Sequence, residues 1–70
     1  MSNLKFKTND KVRVKYLDKQ DYEFFRENDF TIKVGEVGTV LEDDIVPFVD
    51  FGNGRVYALS EFQIEKLKII

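Results

Sequence analysis

From Lys11 to Tyr16 the chain alternates without a break: Val12, Val14 and Tyr16 are apolar, and Lys11, Arg13 and Lys15 are cations. A two-residue period puts one set on a buried face and the other in water, so a strand is predicted with Val12, Val14 and Tyr16 inward. Leu4-Lys5-Phe6-Lys7 repeats the alternation more briefly and reads as a short edge strand or an ordered arm. Gly35-Glu36-Val37-Gly38 reads as a turn feeding a second strand whose Val40 and Leu41 return to the core. Glu42-Asp43-Asp44 is a polar turn, and Ile45 to Phe51 is a third strand with Pro47 at its start, on an edge or at a bulge.

Gly52-Asn53-Gly54 is a hairpin turn, because Asn and Gly tolerate positive φ, and it leads into a fourth strand from Arg55 to Leu59. Ser60 followed by Gln63 is a capping-box pattern too short for a full helix, so a single 3₁₀ turn is expected before a fifth strand, Ile64 to Leu67. The segment 17–33 departs from the period of two. It carries charge and aromatics but no Gly or Pro. Its middle fits a helical turn or two, with Asp18 or Asp21 as N-cap and Tyr22, Phe25 and Arg26 at helical spacing; it fits a long irregular loop equally well.

Five short strands, a long excursion after the first and a 3₁₀ turn before the last define an all-β chain folded as one small domain. In the order of these elements it resembles the SH3-like barrels, nearest to the small bacterial and phage SH3-like proteins and more distantly to the KOW-type subgroup. The residues that carry the likeness are Lys11-Val12-Arg13-Val14, Gly35-x-x-Gly38-x-Val40, Val49-Asp50-Phe51-Gly52-Asn53-Gly54 and Leu59-Ser60-Glu61-Phe62-Gln63-Ile64. The resemblance implies a five-stranded SH3-like barrel over residues 10–68, and its phage members suggest an accessory protein of a phage or mobile element. It does not carry a ligand with it. The chain has no Trp for the edge of a peptide groove, and the 17–33 insertion separates the first strand from the glycine motif.

Composition narrows the chemistry. The 70 residues include no Cys and no His, which removes the thiolate, the commonest general base and the commonest zinc ligand together. No nucleophile stands beside a base and no Gly-rich loop opens a helix, so a non-enzymatic protein without a cofactor is expected. Glu42, Asp43, Asp44 and Asp50 lack the spacing of a calcium loop. The chain shows neither an apolar leader nor the run of about 20 apolar residues that a membrane span requires. A soluble cytoplasmic protein is the expectation.

A formal net charge of −2 conceals an uneven distribution. Residues 5–15 sum to +4, whereas 17–29 sum to −3 and 36–50 to −5. Two binding readings follow. Tyr22, Phe24, Phe25 and Phe30 crowd the long segment, and rings that a small core fails to bury would form a protein-binding patch with Tyr57 as neighbour. In that reading Glu23, Arg26, Glu27 and Asp29 set specificity. Alternatively, Lys5, Lys7, Lys11, Arg13, Lys15 and Arg55 would contact the phosphates of a nucleic acid. Those same cations also suit a solvated strand face that discourages edge pairing. The acidic segments favour the protein partner. Oligomeric state is left open, with monomer or weak dimer through the N-terminal arm or Ile69-Ile70 as the options.

Overall fold

The alternation of Lys11-Val12-Arg13-Val14 becomes strand β1 (Lys11–Val14), with both valines buried and both cations exposed. A computed structural model describes residues 6–42 and 46–67. Leu4 and Lys5 of the expected arm, Asp43 and Asp44 of the polar turn, Ile45 and the Ile69-Ile70 end lie outside the described residues. The strand stops two residues before its pattern does. Lys15 and Tyr16 both donate their amides to the Gln63 carbonyl, at 2.7 and 3.3 Å. Two residues against one is a bulge, and it shifts the inward position by one. Tyr16, expected in the core, is therefore turned out to solvent, and Leu17 is buried in its place.

Residues 17–33 resolve into helix α1 (Lys19–Glu27) and a return segment. Asp18 is the N-cap: its Oδ1 accepts from the amides of Gln20 (2.9 Å) and Asp21 (3.2 Å). The Asp18 amide in turn donates to Asp21 Oδ2 at 3.0 Å, which completes a reciprocal capping box. The helix ends just as specifically. Asp29 takes a left-handed backbone (φ 60°), and the Phe30 amide donates back to the Phe25 carbonyl at 3.2 Å. Phe25 and Phe30 pack with ring centroids 5.2 Å apart, the hydrophobic contact that accompanies this type of C-cap.

Strand β2 (Val37–Glu42) buries Gly38 and Val40 and pairs with β1 in antiparallel register, Val12 opposite Gly38. Between Val40 and Glu42 its register against β3 (Phe48–Asp50) slips, with Val40 opposite Val49 but Glu42 opposite Phe48. Leu41 is the extra residue. It was expected to turn inward and is instead exposed on the outer face. Pro47 is buried just before β3, where its missing N–H costs no ladder bond, and its carbonyl accepts the Leu59 amide.

The hairpin from β3 to β4 (Val56–Ala58) runs through Gly52, Asn53 and Gly54, all at positive φ as the sequence predicts. Before β5 (Ile64–Lys66) the Gln63 amide closes one turn on the Ser60 carbonyl, while Gln63 Oε1 accepts from the Ser60 amide and hydroxyl. The five strands form one antiparallel sheet in the order β4-β3-β2-β1-β5. That sheet is open: among the described residues no ladder joins β4 to β5, so the expected barrel closure is not seen as hydrogen-bonded pairing. The core consists of Phe6, Val12, Val14, Leu17, Phe25, Ile32, Val40, Val49, Phe51, Leu59 and Ile64.

Gly38 leaves no room for a side chain where β2 meets β3. A Cβ there would lie 2.5 Å from Val49 Cγ1 and 2.9 Å from the Asp50 carbonyl oxygen, and the latter is backbone that has little room to move. Gly38→Ala is expected to destabilise the fold by about 1–3 kcal/mol, the usual range for overpacking a core. Urea denaturation reads it directly, and an unchanged midpoint would show that the β2–β3 contact is loose.

Candidate functional site

The Asp21 carboxylate is only 8% exposed, and its two oxygens connect three parts of the chain. Tyr57 Oη, from β4, donates to Oδ1 at 2.6 Å. Gln63 Nε2, from the turn before β5, donates to Oδ2 at 2.6 Å, beside the Asp18 amide at 3.0 Å. Gln63 Nε2 also reaches the Tyr16 carbonyl at 3.3 Å. A buried carboxylate requires such partners, because an unmet charge in the interior costs several kcal/mol. Burial first, and then the hydrogen bond and negative charge of Asp21 with Asp18 beyond it, hold the Tyr57 phenol well above the usual tyrosine range. The N-terminus of α1 is thereby tied to the sheet and to the last turn.

Tyr57, Phe24, Phe25 and Phe30 form one ring cluster. Phe25 meets Tyr57 edge-on at 4.9 Å between centroids, Phe24 lies 5.2 Å from Tyr57, and Phe24 lies 6.0 Å from Phe30. Tyr22 joins at one border, edge-on to Phe25 at 6.2 Å. Four of the five rings nominated from the sequence are thus brought together, with the fifth beside them. Phe25 does not belong to an exposed patch, however. It is 2% exposed and is core, because it projects from α1 close to the direction of Asp21, four residues before it.

Tyr22 and Phe24 remain about half exposed, at 49% and 42%. Positions two apart on a helix differ by about 200°, so the two rings leave α1 on opposite flanks with the buried face between them. The single patch expected from the sequence is divided in two. On the Tyr22 side a shallow groove of about 370 Å³ runs past Arg26, Asp29, Phe30 and Thr31. On the other side Phe24 lies against Tyr57.

Lys11 and Arg13 share the exposed face of β1, and Lys15 beyond it is exposed as well. Arg13 pairs with Glu65 directly across from it on β5 (Nη2 to Oε2, 2.8 Å), and Lys11 Nζ donates to Thr39 Oγ1 at 2.7 Å. Arg55 is engaged inside the molecule. Its guanidinium donates to the carbonyls of Gly52 (3.1 Å), Thr31 (2.9 Å) and Phe51 (2.7 Å) and pairs with Glu36 at 2.6 Å. It straps the β3–β4 hairpin to the segment that leads into β2, and offers little to a phosphate. Lys7 and Lys15 are exposed, and Lys5 lies outside the described residues.

Two features were missed from the sequence. In the sequence Asp21 is a cap candidate, and nothing local marks it as a partner of Tyr57 and Gln63, which lie 36 and 42 positions away. The outer face of the sheet carries Leu41, Phe48 and Val56, and the turn before β5 presents Phe62 at 78% exposure. Among the described residues no cluster of three or more acidic side chains is placed to hold a metal ion, and no helix is long and apolar enough to cross a membrane. Compared with protein-family models, curated proteins and solved structures, the chain matches none.

The Tyr57 phenol supplies a pH test. Its folded-state value is raised above the unfolded value of about 10, so its contribution is fully present below pH ~10 and is lost as pH rises beyond that. Absorbance titration near 295 nm should show a phenolate component that ionises later in the native than in the denatured chain, and Tyr57→Phe should remove it. A wild-type titration with no delayed component would contradict the phenol–carboxylate bond.

Proposed function

We propose that this chain is a non-enzymatic protein-interaction module that presents Tyr22 and Phe24 from a fixed helix. The observation that carries this reading is two large rings left half exposed on an element whose every other constraint is satisfied: a capping box, a closed C-terminus, a core Phe25 and a carboxylate bonded to the sheet. Immobile aromatic side chains lose little entropy on binding, and Tyr is enriched among the residues that dominate interface energies. Phe30 and Tyr57 back the exposed rings, while Glu23, Arg26, Glu27 and Asp29 supply the charged rim. The scaffold is best described as SH3-like. Five strands, the long excursion between β1 and β2 and the single turn before β5 support that description. The engagement of Arg55 by Glu36 and three carbonyls favours a protein partner over a nucleic acid.

Immobilised protein should retain a partner from a lysate of its source cells, with or without nuclease treatment. Tyr22→Ala and Phe24→Ala should each weaken that capture by about tenfold or more, while stability changes by less than about 1 kcal/mol. Capture that nuclease abolishes, or that neither substitution affects, would overturn the reading.

A further inference from the structure

The outer face of the sheet, turned away from the core and from α1, carries opposite charges on either side of its middle strand. Lys11 of β1 stands opposite Thr39 of β2, and Thr39 stands opposite Asp50 of β3. Val12, Val40 and Val49, the next positions on these strands, are buried, so Lys11, Thr39 and Asp50 form one row on the outside. Neighbouring strands lie about 4.8 Å apart, which sets the Lys11 and Asp50 positions about 10 Å from each other with Thr39 midway. Lys11 Nζ leans over β2 to Thr39 Oγ1 (2.7 Å), and Asp50 Oδ1 accepts from the Gly52 amide (2.8 Å). Among the described residues neither charge has an ion-pair partner.

Along β2 the same face is apolar. Val37 is 48% exposed, and Leu41, expelled by the bulge, is 42% exposed. A two-fold axis lying above β2 and parallel to it exchanges the β1 side of the face with the β3 side. It sets Lys11 of one copy over Asp50 of the other, twice, while Val37 and Leu41 each meet their own counterparts. An axis across the strands would instead stack Lys11 on Lys11 and Asp50 on Asp50, so the charges select one orientation. Sheets pack face to face about 10 Å apart with strands within about 30° of alignment, and this axis satisfies both conditions. We propose that the outer face of β1, β2 and β3 binds a second copy of this chain in that orientation. A surface built for a different protein has no need of charges that invert about its own centre. The apolar residues supply affinity, while the two exposed ion pairs add little to it and fix the register. Glu42, at the end of β2, is brought near its own counterpart and opposes the contact. The pairing leaves Tyr22 and Phe24 free on α1, so self-association and partner capture can fail independently.

Sedimentation equilibrium of the full chain from about 10 µM to 1 mM should show a reversible monomer–dimer equilibrium. Lys11→Glu and Asp50→Lys, each shown folded by circular dichroism, should each weaken it at least threefold. An equimolar mixture of the two should dimerise as well as wild type, since each supplies the charge the other lacks. Glu42→Gln should tighten it at least twofold. Thr39→Cys gives a readout free of Asp50, whose carboxylate also holds the Gly52 amide. The chain has no cysteine, so the introduced thiols lie on the axis alone. A short bis-maleimide should join Thr39→Cys into a covalent dimer at least fivefold faster than Phe62→Cys, whose thiol is exposed on the turn before β5. A chain that stays monomeric at about 1 mM, a mixture no stronger than its separate components, weaker association of Glu42→Gln, or equal cross-linking of the two thiol variants would overturn the proposal.

Discussion

One buried carboxylate decides where helix α1 lies. Asp21 closes the capping box with Asp18, accepts from the Tyr57 hydroxyl of β4 and accepts from the Gln63 side-chain Nε2 of the turn before β5. Three strong donors converge on a group that the interior would otherwise exclude, and hydrogen bonds to charged groups each contribute about 1.5–3 kcal/mol. A nine-residue helix is too short to persist alone in water. It persists here because its N-terminus is bonded to two distant elements and Phe25, one turn on, is driven into the core. The same tether fixes the azimuth of the helix, and therefore where Tyr22 and Phe24 emerge.

The strands follow from local pattern to a large extent. Alternation in β1, the Gly-Asn-Gly hairpin and the Ser60–Gln63 turn are each written in a few adjacent residues, and each forms as that chemistry requires. What the sequence conceals is the two bulges. Tyr16 and Leu41 both sit at positions whose apolar character predicts burial, and both are expelled because of a partner elsewhere in the chain. For Tyr16 that partner is the Gln63 carbonyl; for Leu41 it is the pairing of Glu42 with Phe48. A bulge is a property of two strands together, so no reading of one strand alone reveals it.

The candidate site divides in the same way. The aromatic crowding of residues 22–30 is legible, and the rings do gather. Whether the segment is helix or loop is not, because short helices are settled by tertiary contacts more than by propensity. Helicity then separates neighbours: Phe25 goes to the core while Tyr22 and Phe24 take opposite flanks. Charge behaves similarly. The +4 of residues 5–15 is visible at once, whereas the cross-strand match of Arg13 with Glu65 spans 52 positions and belongs to the sheet.

The dependence of α1 on the Asp21 carboxylate is tested most directly by a double-mutant cycle. Asp21→Asn, Tyr57→Phe and the double variant are compared with wild type in urea, with hydrogen exchange of the α1 amides as a local readout. Coupling of about 1–3 kcal/mol, with loss of protection across α1 when Asp21 is changed, is the predicted result. Additive effects with α1 protection intact would contradict the account, because the helix would then be held by packing alone.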